Sequence, residues 1–232
     1  MPLDLSYLSL TLDDVPEADD FLTAGERAQL ARFRFAKRRD EWRLGRWTAK
    51  QAVSLHLRHS RDFAGFSQLE IRAAPDGAPE IFMGDQPAPV SLSISHSAGR
   101  SLCAVGTREA AVGCDVDKIE PHDLSIVLDY FTADERTRIE QALVDDRPLY
   151  VMLIWCAKES ALKSLRQGLR RDTRSVIVSF AEAADKVLWN PLTVRCLESS
   201  RSFHGWWRVH AGFIQAVTSA LHSTPHDLAS HP

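Results

Sequence analysis

Apolar and polar residues alternate with a period of two in some stretches and recur every three to four positions in others, so the chain reads as strands mixed with helices. Leu3 to Leu10 predicts an opening strand, followed by an acidic segment through Asp13, Asp14, Glu17, Asp19 and Asp20. Thr23 with Glu26 three residues on predicts a capping box opening a helix at about Ala24, and a further helical run carries Leu44, Trp47 and Val53. Gln68 to Ala73 and Glu80 to Met83 predict a hairpin about Pro75-Asp76-Gly77. Ser91 to Ser95 and Ser101 to Thr107 predict two strands joined by a polar turn, His96-Ser97-Ala98-Gly99, and a strand ending in Asp115 and Asp117 follows.

Beyond Pro121 the pattern becomes helical: a short run Leu124 to Tyr130, then Thr132 and Glu135 as a second capping box for a helix to about Leu143. A long helix from Pro148 carries Lys158, Glu159 and Lys163 and is ended by Gly168. Strands are predicted at Ser175 to Phe180, Lys186 to Trp189, Leu192 to Leu197, Trp206 to His210 and Phe213 to Val217. From His222 to Pro232 large apolar side chains are few, which predicts a disordered tail. No internal repeat is read from the sequence.

The chemistry lies in the polar members of these patterns. Asp115 and Asp117 share one side of their strand because side chains alternate, and Glu159 and Lys163 lie one turn apart on their helix. Singly, such acids and pairs are most often solvated surface features. If they converge, three carboxylates and an ammonium make a hard-cation site with a phosphate partner beside it. Between Arg27 and Lys50 lie nine of the chain's 28 basic residues, although the net charge is −3. Arg39, Arg43, Arg46 and Lys50, at steps of four, three and four, keep to one side of a helix that would suit a phosphate or an acidic protein. His56 and His59 form an isolated pair without a carboxylate, so no metal role is expected of them.

Composition narrows the class. With 232 residues, 44% hydrophobic and 25% charged, the chain is an ordinary globular one, and its charge balance gives no reason to expect nucleic acid or an acidic membrane as partner. Cys103, Cys114, Cys156 and Cys196 are scattered without C-x-x-C spacing and read as buried free thiols. The start of the chain lacks a basic and then apolar leader, and no stretch approaches 18 uninterrupted apolar residues, so the expected location is the reducing cytoplasm.

Taken in order, Ser95-His96-Ser97, Gly113-x-Asp115-x-Asp117 and Trp155-x-x-Lys158-Glu159-x-x-x-Lys163 resemble the motifs of 4′-phosphopantetheinyl transferases of the Sfp type. The helix Arg38-Arg39-Asp40-Glu41-Trp42-Arg43-Leu44-Gly45-Arg46-Trp47-Thr48-Ala49-Lys50 is similar to that family's basic G-R-x-x-A-K segment. The resemblance implies an α+β fold of two similar halves related by a pseudo-twofold axis: residues 1–110 with the basic helix, and residues 111–221 with the metal ligands. It further implies transfer of the phosphopantetheine arm of coenzyme A to a serine of an apo acyl or peptidyl carrier protein, with release of 3′,5′-ADP. Asp115, Asp117 and Glu159 would then be magnesium ligands, and Lys163 and Lys158 would face phosphate. Ser95, His96, Arg43, Arg46 and Lys50 would contact coenzyme A, and Asp115, Glu159, Lys163 and His96 would be catalytic. Glu159, directly or through metal-bound water, is the candidate base for the serine proton.

Three positions depart from the family pattern: Asp117 stands where glutamate is frequent, Ala78 where a lysine is, and the first glycine before Gln167-Gly168 is missing. They motivate an alternative reading, a non-catalytic relative that still grips coenzyme A or a carrier protein. An unrelated magnesium phosphotransferase finds no support, since neither a G-x-x-x-x-G-K-[ST] loop nor a kinase signature is present. A chain able to supply both halves of its own cleft is expected to be a monomer.

Overall fold

The structure is a computed structural model that describes residues 4–57, 63–121, 124–199 and 201–230. The strand expected from Leu3 is found as β1 (Leu5–Thr11), and His59 lies outside the described residues. The first half continues with α1 (Ala24–Leu30), the 21-residue α2 (Ala36–His56), α3 (Phe63–Phe66), β2 (Leu69–Ala73), β3 (Pro79–Met83), β4 (Gln86–Pro87), β5 (Val90–Ser97) and β6 (Arg100–Thr107). The second contains β7 (Gly113–Lys118), α4 (Leu124–Tyr130), α5 (Ala133–Gln141), α6 (Arg147–Ser164), β8 (Val176–Phe180), β9 (Asn190–Cys196), β10 (Ser202–His210) and β11 (Phe213–Ser219). A two-residue strand β12 (His226–Asp227) ends the order.

Two antiparallel cores result, with strand orders β1-β6-β5 and β7-β11-β10-β9-β8, while β2-β3-β4 form a small separate sheet. In each core one long helix covers a face, α2 over β1, β5 and β6 and α6 over β7 and β11. The opposite faces meet: Leu5, Tyr7, Leu102 and Ala104 from one sheet pack with Cys114, Val116, Trp206 and Val217 from the other. The layers therefore run helix, sheet, sheet, helix. Period-two alternation does this with one strand, since Cys114 and Val116 point to the sheet interface and Asp115 and Asp117 to the helix side.

The halves repeat one structural device. Thr23 caps α1 and Thr132 caps α5, each in a capping box with Glu26 or Glu135. Glu26 also accepts from the backbone N–H of Ile71, and Glu135 from that of Val178. Each glutamate meets a fully buried lysine, Lys50 or Lys158, at the end of matching stretches, Trp47-Thr48-Ala49-Lys50 and Trp155-Cys156-Ala157-Lys158. Lys50 gives its other two protons to the carbonyls of Phe21 and Phe66, and Lys158 to those of Thr173 and Val176. All three donors of each ammonium are satisfied, which is the condition for tolerating a charge in a core.

Three details differ from the expected elements. Residues 186–189 are bends rather than a strand. The turn after β5 is tighter than expected, since His96 and Ser97 still pair in the sheet. The tail is ordered to residue 230: β12 pairs in parallel with β1, Tyr7 donates to Asp227 at 2.7 Å, and Leu228 is buried. All four cysteines are free and buried. Among the described residues no helix is long and apolar enough to cross a membrane.

Candidate active site

The site forms where β5 and β7, the bordering strands of the two sheets, lie against each other beneath α6. Serines at 91, 93, 95 and 97 place one hydroxyl at every second residue along β5, all on the side facing β7. Ser91 and Ser93 accept from the backbone N–H groups of Val112 and Cys114, at 3.3 and 3.0 Å. Ser95 and Ser97 donate to Asp115 and Asp117, both at 2.6 Å. Hydroxyls thus do along this seam what a backbone ladder does inside a sheet.

The approach of β7 to α6 depends on Gly113. A Cβ there would fall well inside contact distance of the Ser160 carbonyl oxygen and 2.5 Å from Ser164 Oγ. With no side chain in the way, Asp115 lies under the last turns of the helix. Lys163 donates to Asp115 Oδ1 at 2.7 Å and to the Cys114 carbonyl at 3.1 Å. Burial works against the Lys163 charge, yet Asp115, Cys114 and Glu159 together outweigh it and hold the ammonium above its ordinary range.

Glu159 is buried one turn before Lys163, and its Oε1 has no hydrogen-bond partner among the described residues. Burial, with the Asp115 charge adding to it and Lys163 only partly offsetting it, raises the Glu159 carboxyl from 4.5 to about 7. Asp117 stands one pleat further along, taken up by Ser97 and by the N–H of Lys118 at 2.8 Å. Among the described residues no three histidine, cysteine or carboxylate side chains are gathered closely enough to hold a metal ion. Of the three acids expected to share one ion, Asp115 and Glu159 lie together beside Lys163, and Asp117 is hydrogen-bonded to Ser97 one pleat on.

Four other residues expected at a ligand have partners within the protein. Lys158 and Lys50 point into the cores of their own halves and are fully buried on Glu135 and Glu26. Arg43 is spent on Asp19 at 2.7 Å and on the carbonyls of Pro16 and Glu17. Arg46 lies over the Trp42 ring, 4.6 Å from its centroid, with Nε 3.6 Å from Glu26. The supposed single basic face is thus divided among separate partners. Replacing Lys158 with methionine should lower stability in a thermal melt by about 3 kcal/mol, the cost of stranding Glu135 in the core.

His96 is adjacent to Ser95 but on the other face of β5, where Gly45 leaves room for it against α2. It is exposed there, beside a shallow depression lined by Phe33, Phe35, Lys37, Arg38, Glu41 and Trp42. Partial burial against the helix pulls its imidazole below the ordinary value.

Behind Lys163 the cluster opens into a cleft of about 900 Å³ between the β2–β3 hairpin and β5 on one side and the segment after α6 on the other. Arg108, Arg166 and Arg170 line it with Lys163, and none of these arginines was expected to face a ligand cleft. The sequence marks Arg166 and Arg170 only as part of a basic turn after the long helix, because the cleft is assembled from segments some 90 residues apart, such as Asp76 and Arg166. The serine alternation along β5, in contrast, is a signal that period-two reading could have used.

A helix-backed pair of sheets with an acid–lysine cluster beside a cleft defines the class as α+β. Residues 111–210, somewhat under half of the chain, match the 4′-phosphopantetheinyl transferase superfamily. That match agrees with the resemblance carried by the motifs. It is 24% identical over 177 residues to the 4′-phosphopantetheinyl transferase psf-1 of Bacillus pumilus, covering 76% of this chain and 72% of that protein. Among solved structures, a holo-(acyl-carrier-protein) synthase from Bacillus anthracis in complex with CoA (3′,5′-ADP) is 23% identical with a TM-score of 0.39, covering 45% of this chain and 95% of that one. The holo-[acyl-carrier-protein] synthase of Thermotoga maritima is 19% identical with a TM-score of 0.36, covering 57% of this chain and 76% of its own.

Proposed function

We propose that this protein transfers the 4′-phosphopantetheine arm of coenzyme A to a serine of an apo acyl or peptidyl carrier protein, releasing 3′,5′-ADP, in a magnesium-dependent reaction. The observation that carries this reading is the Asp115–Lys163–Glu159 cluster at the edge of the cleft between the halves. In this reading the halves divide near residue 110, one chain supplies the whole site as a monomer, and the free buried thiols suit the cytoplasm.

The residues fit a hard cation. Glu159 Oε1 is a buried acceptor with nothing to accept from, and it shares its surroundings with the carboxylate of Asp115. Asp115 and Glu159 would hold magnesium, with Asp117 reaching it directly or through water. Bound magnesium would neutralise charge on the diphosphate that is cleaved.

The protein's own groups supply the rest. Lys163 exchanges Asp115 for a phosphate oxygen and follows the charge that builds on it. Ser95 and Ser97 fix the two aspartates, so the carboxylates need not reorganise during the reaction. Glu159 is the candidate base for the proton of the incoming serine. An uncompensated buried acid of this kind is costly to keep in a protein that only binds, and it favours turnover over the non-catalytic reading. Acidic carrier proteins would suit the cations at Arg38 and Arg39 and those from Arg166 to Arg174.

Incubation with coenzyme A, magnesium and an apo carrier protein should add the mass of one phosphopantetheine arm to the carrier. No increase with any of several acyl and peptidyl carriers overturns the proposal. Magnesium binding should also release protons below neutrality, because the ion needs Glu159 ionised. Affinity is expected to rise by about tenfold per pH unit up to pH 7 and then level off. Calorimetry in buffers of different ionisation enthalpy measures this directly.

A further inference from the structure

We propose that Arg166 is a phosphate-binding residue of the cleft, parked on two carboxylates of the opposite half until a phosphorylated nucleotide displaces them. This inference rests on the functional reading above and assigns one more residue to the same cleft.

Arg166 follows α6 directly and has φ of 57°, a left-handed conformation that a side chain makes unfavourable by about 1 kcal/mol. That backbone turn directs the side chain across the cleft. Its Nε donates to Asp76 Oδ2 at 2.7 Å, and its Nη2 to Asp76 Oδ1 at 3.2 Å and to Glu80 Oε1 at 2.7 Å. Arg166, Asp76 and Glu80 all line the cleft with Lys163.

The other cleft cations are held differently. Lys163 is on buried Asp115, Arg108 donates to the Ala88 carbonyl, and Arg170 folds back onto the carbonyls of Arg166 and Gln167. Among the described cleft cations, Arg166 is the one whose side chain bonds solely to carboxylates from the other half. Its side chain is 47% exposed and those of Asp76 and Glu80 are 34% and 39% exposed. Ion pairs this open contribute little to stability, so they hold the guanidinium in place without committing it. Its planar fork matches a phosphate as well as a carboxylate, and a dianionic phosphate is the stronger partner. Arg166 holds the Asp76 carboxyl down to about 2, so the exchange is between two anions for one guanidinium and needs no protonation.

The two sides of the pair should therefore act with opposite sign on ligand binding. Titration of the full chain with coenzyme A, and separately with 3′,5′-ADP, should show Arg166→Gln weakening binding by about tenfold. Asp76→Asn and Glu80→Gln should each tighten it by about two- to fivefold, since each removes a competitor. Arg166→Lys, which keeps the charge but not the fork, should fall between. If the Asp76 and Arg166 variants shift affinity in the same direction, the trio is a structural clasp and the inference is overturned. Unchanged affinity in Arg166→Gln overturns it as well, provided the wild type binds. A wild-type chain that binds neither ligand overturns the functional reading and this inference together, so the two failures are told apart by the wild-type titration alone. Thermal melts of the acid variants confirm that they are folded.

Discussion

Glu159→Gln is expected to abolish turnover and to make the protein more stable above neutral pH. The glutamine keeps the shape and removes the charge, so under the proposed function a bound cation would lose a ligand and the serine its base, a fall in kcat of roughly 10³-fold or more. Stability moves the other way. Glu159 has a folded-state pKa of about 7 against 4.5 unfolded, so the native state holds its proton more tightly. For such a group stability is lost as pH rises from the lower value through the upper one. Above pH 7 the wild type carries the whole penalty, up to about 3 kcal/mol, whereas the glutamine variant carries none. The difference in melting temperature between the two proteins should be largest at pH 8 and vanish near pH 4. A variant less stable than wild type at pH 8 would show that Glu159 is satisfied in the fold.

Much of this site is legible in the sequence because its geometry is local. Two residues apart on a strand means the same side, which places Asp115 and Asp117; four apart on a helix means the same stripe, which places Glu159 with Lys163. The same two rules also separate residues that adjacency in sequence joins. Lys158 is five positions from Lys163, about 140° around the helix, so it turns to the core while Lys163 turns to β7. Ser95 and His96 are neighbours on a strand and hence face opposite layers. What periodicity cannot supply is the distant partner. Arg43 and Lys50 sit on a helix rich in cations, but their roles are decided by Asp19 and Glu26, each 24 residues away. The ordered tail is of the same kind, fixed by the pairing of β12 with a strand some 220 residues earlier. The repeated Trp-x-Ala-Lys stretch was available to inspection, yet its meaning depends on Glu26 and Glu135, which lie outside it.

Gly113→Ala should cost both stability and catalysis, for a reason that lies in the backbone. The added methyl meets the Ser160 carbonyl oxygen, part of α6 itself, as well as the flexible hydroxyl of Ser164. Only movement of β7 away from the helix relieves the first clash, and overpacking of this kind costs about 1–3 kcal/mol. Asp115, two residues on, moves with the strand and away from Lys163 and Glu159. A displacement near 1 Å at a reacting centre is worth about 10²-fold in rate. A second change, Ser164→Ala, should rescue little, because the main obstacle is a carbonyl that no side-chain substitution removes. Gly212→Ala provides the contrast: φ there is +79° and nothing lies within 4 Å of the added methyl, so it should cost about 1–2 kcal/mol of stability with kcat preserved. Steady-state kinetics on the folded fraction of the three variants separates the cases. If Gly113→Ala keeps wild-type kcat, the close seating of β7 under α6 is not what assembles the acid–lysine cluster.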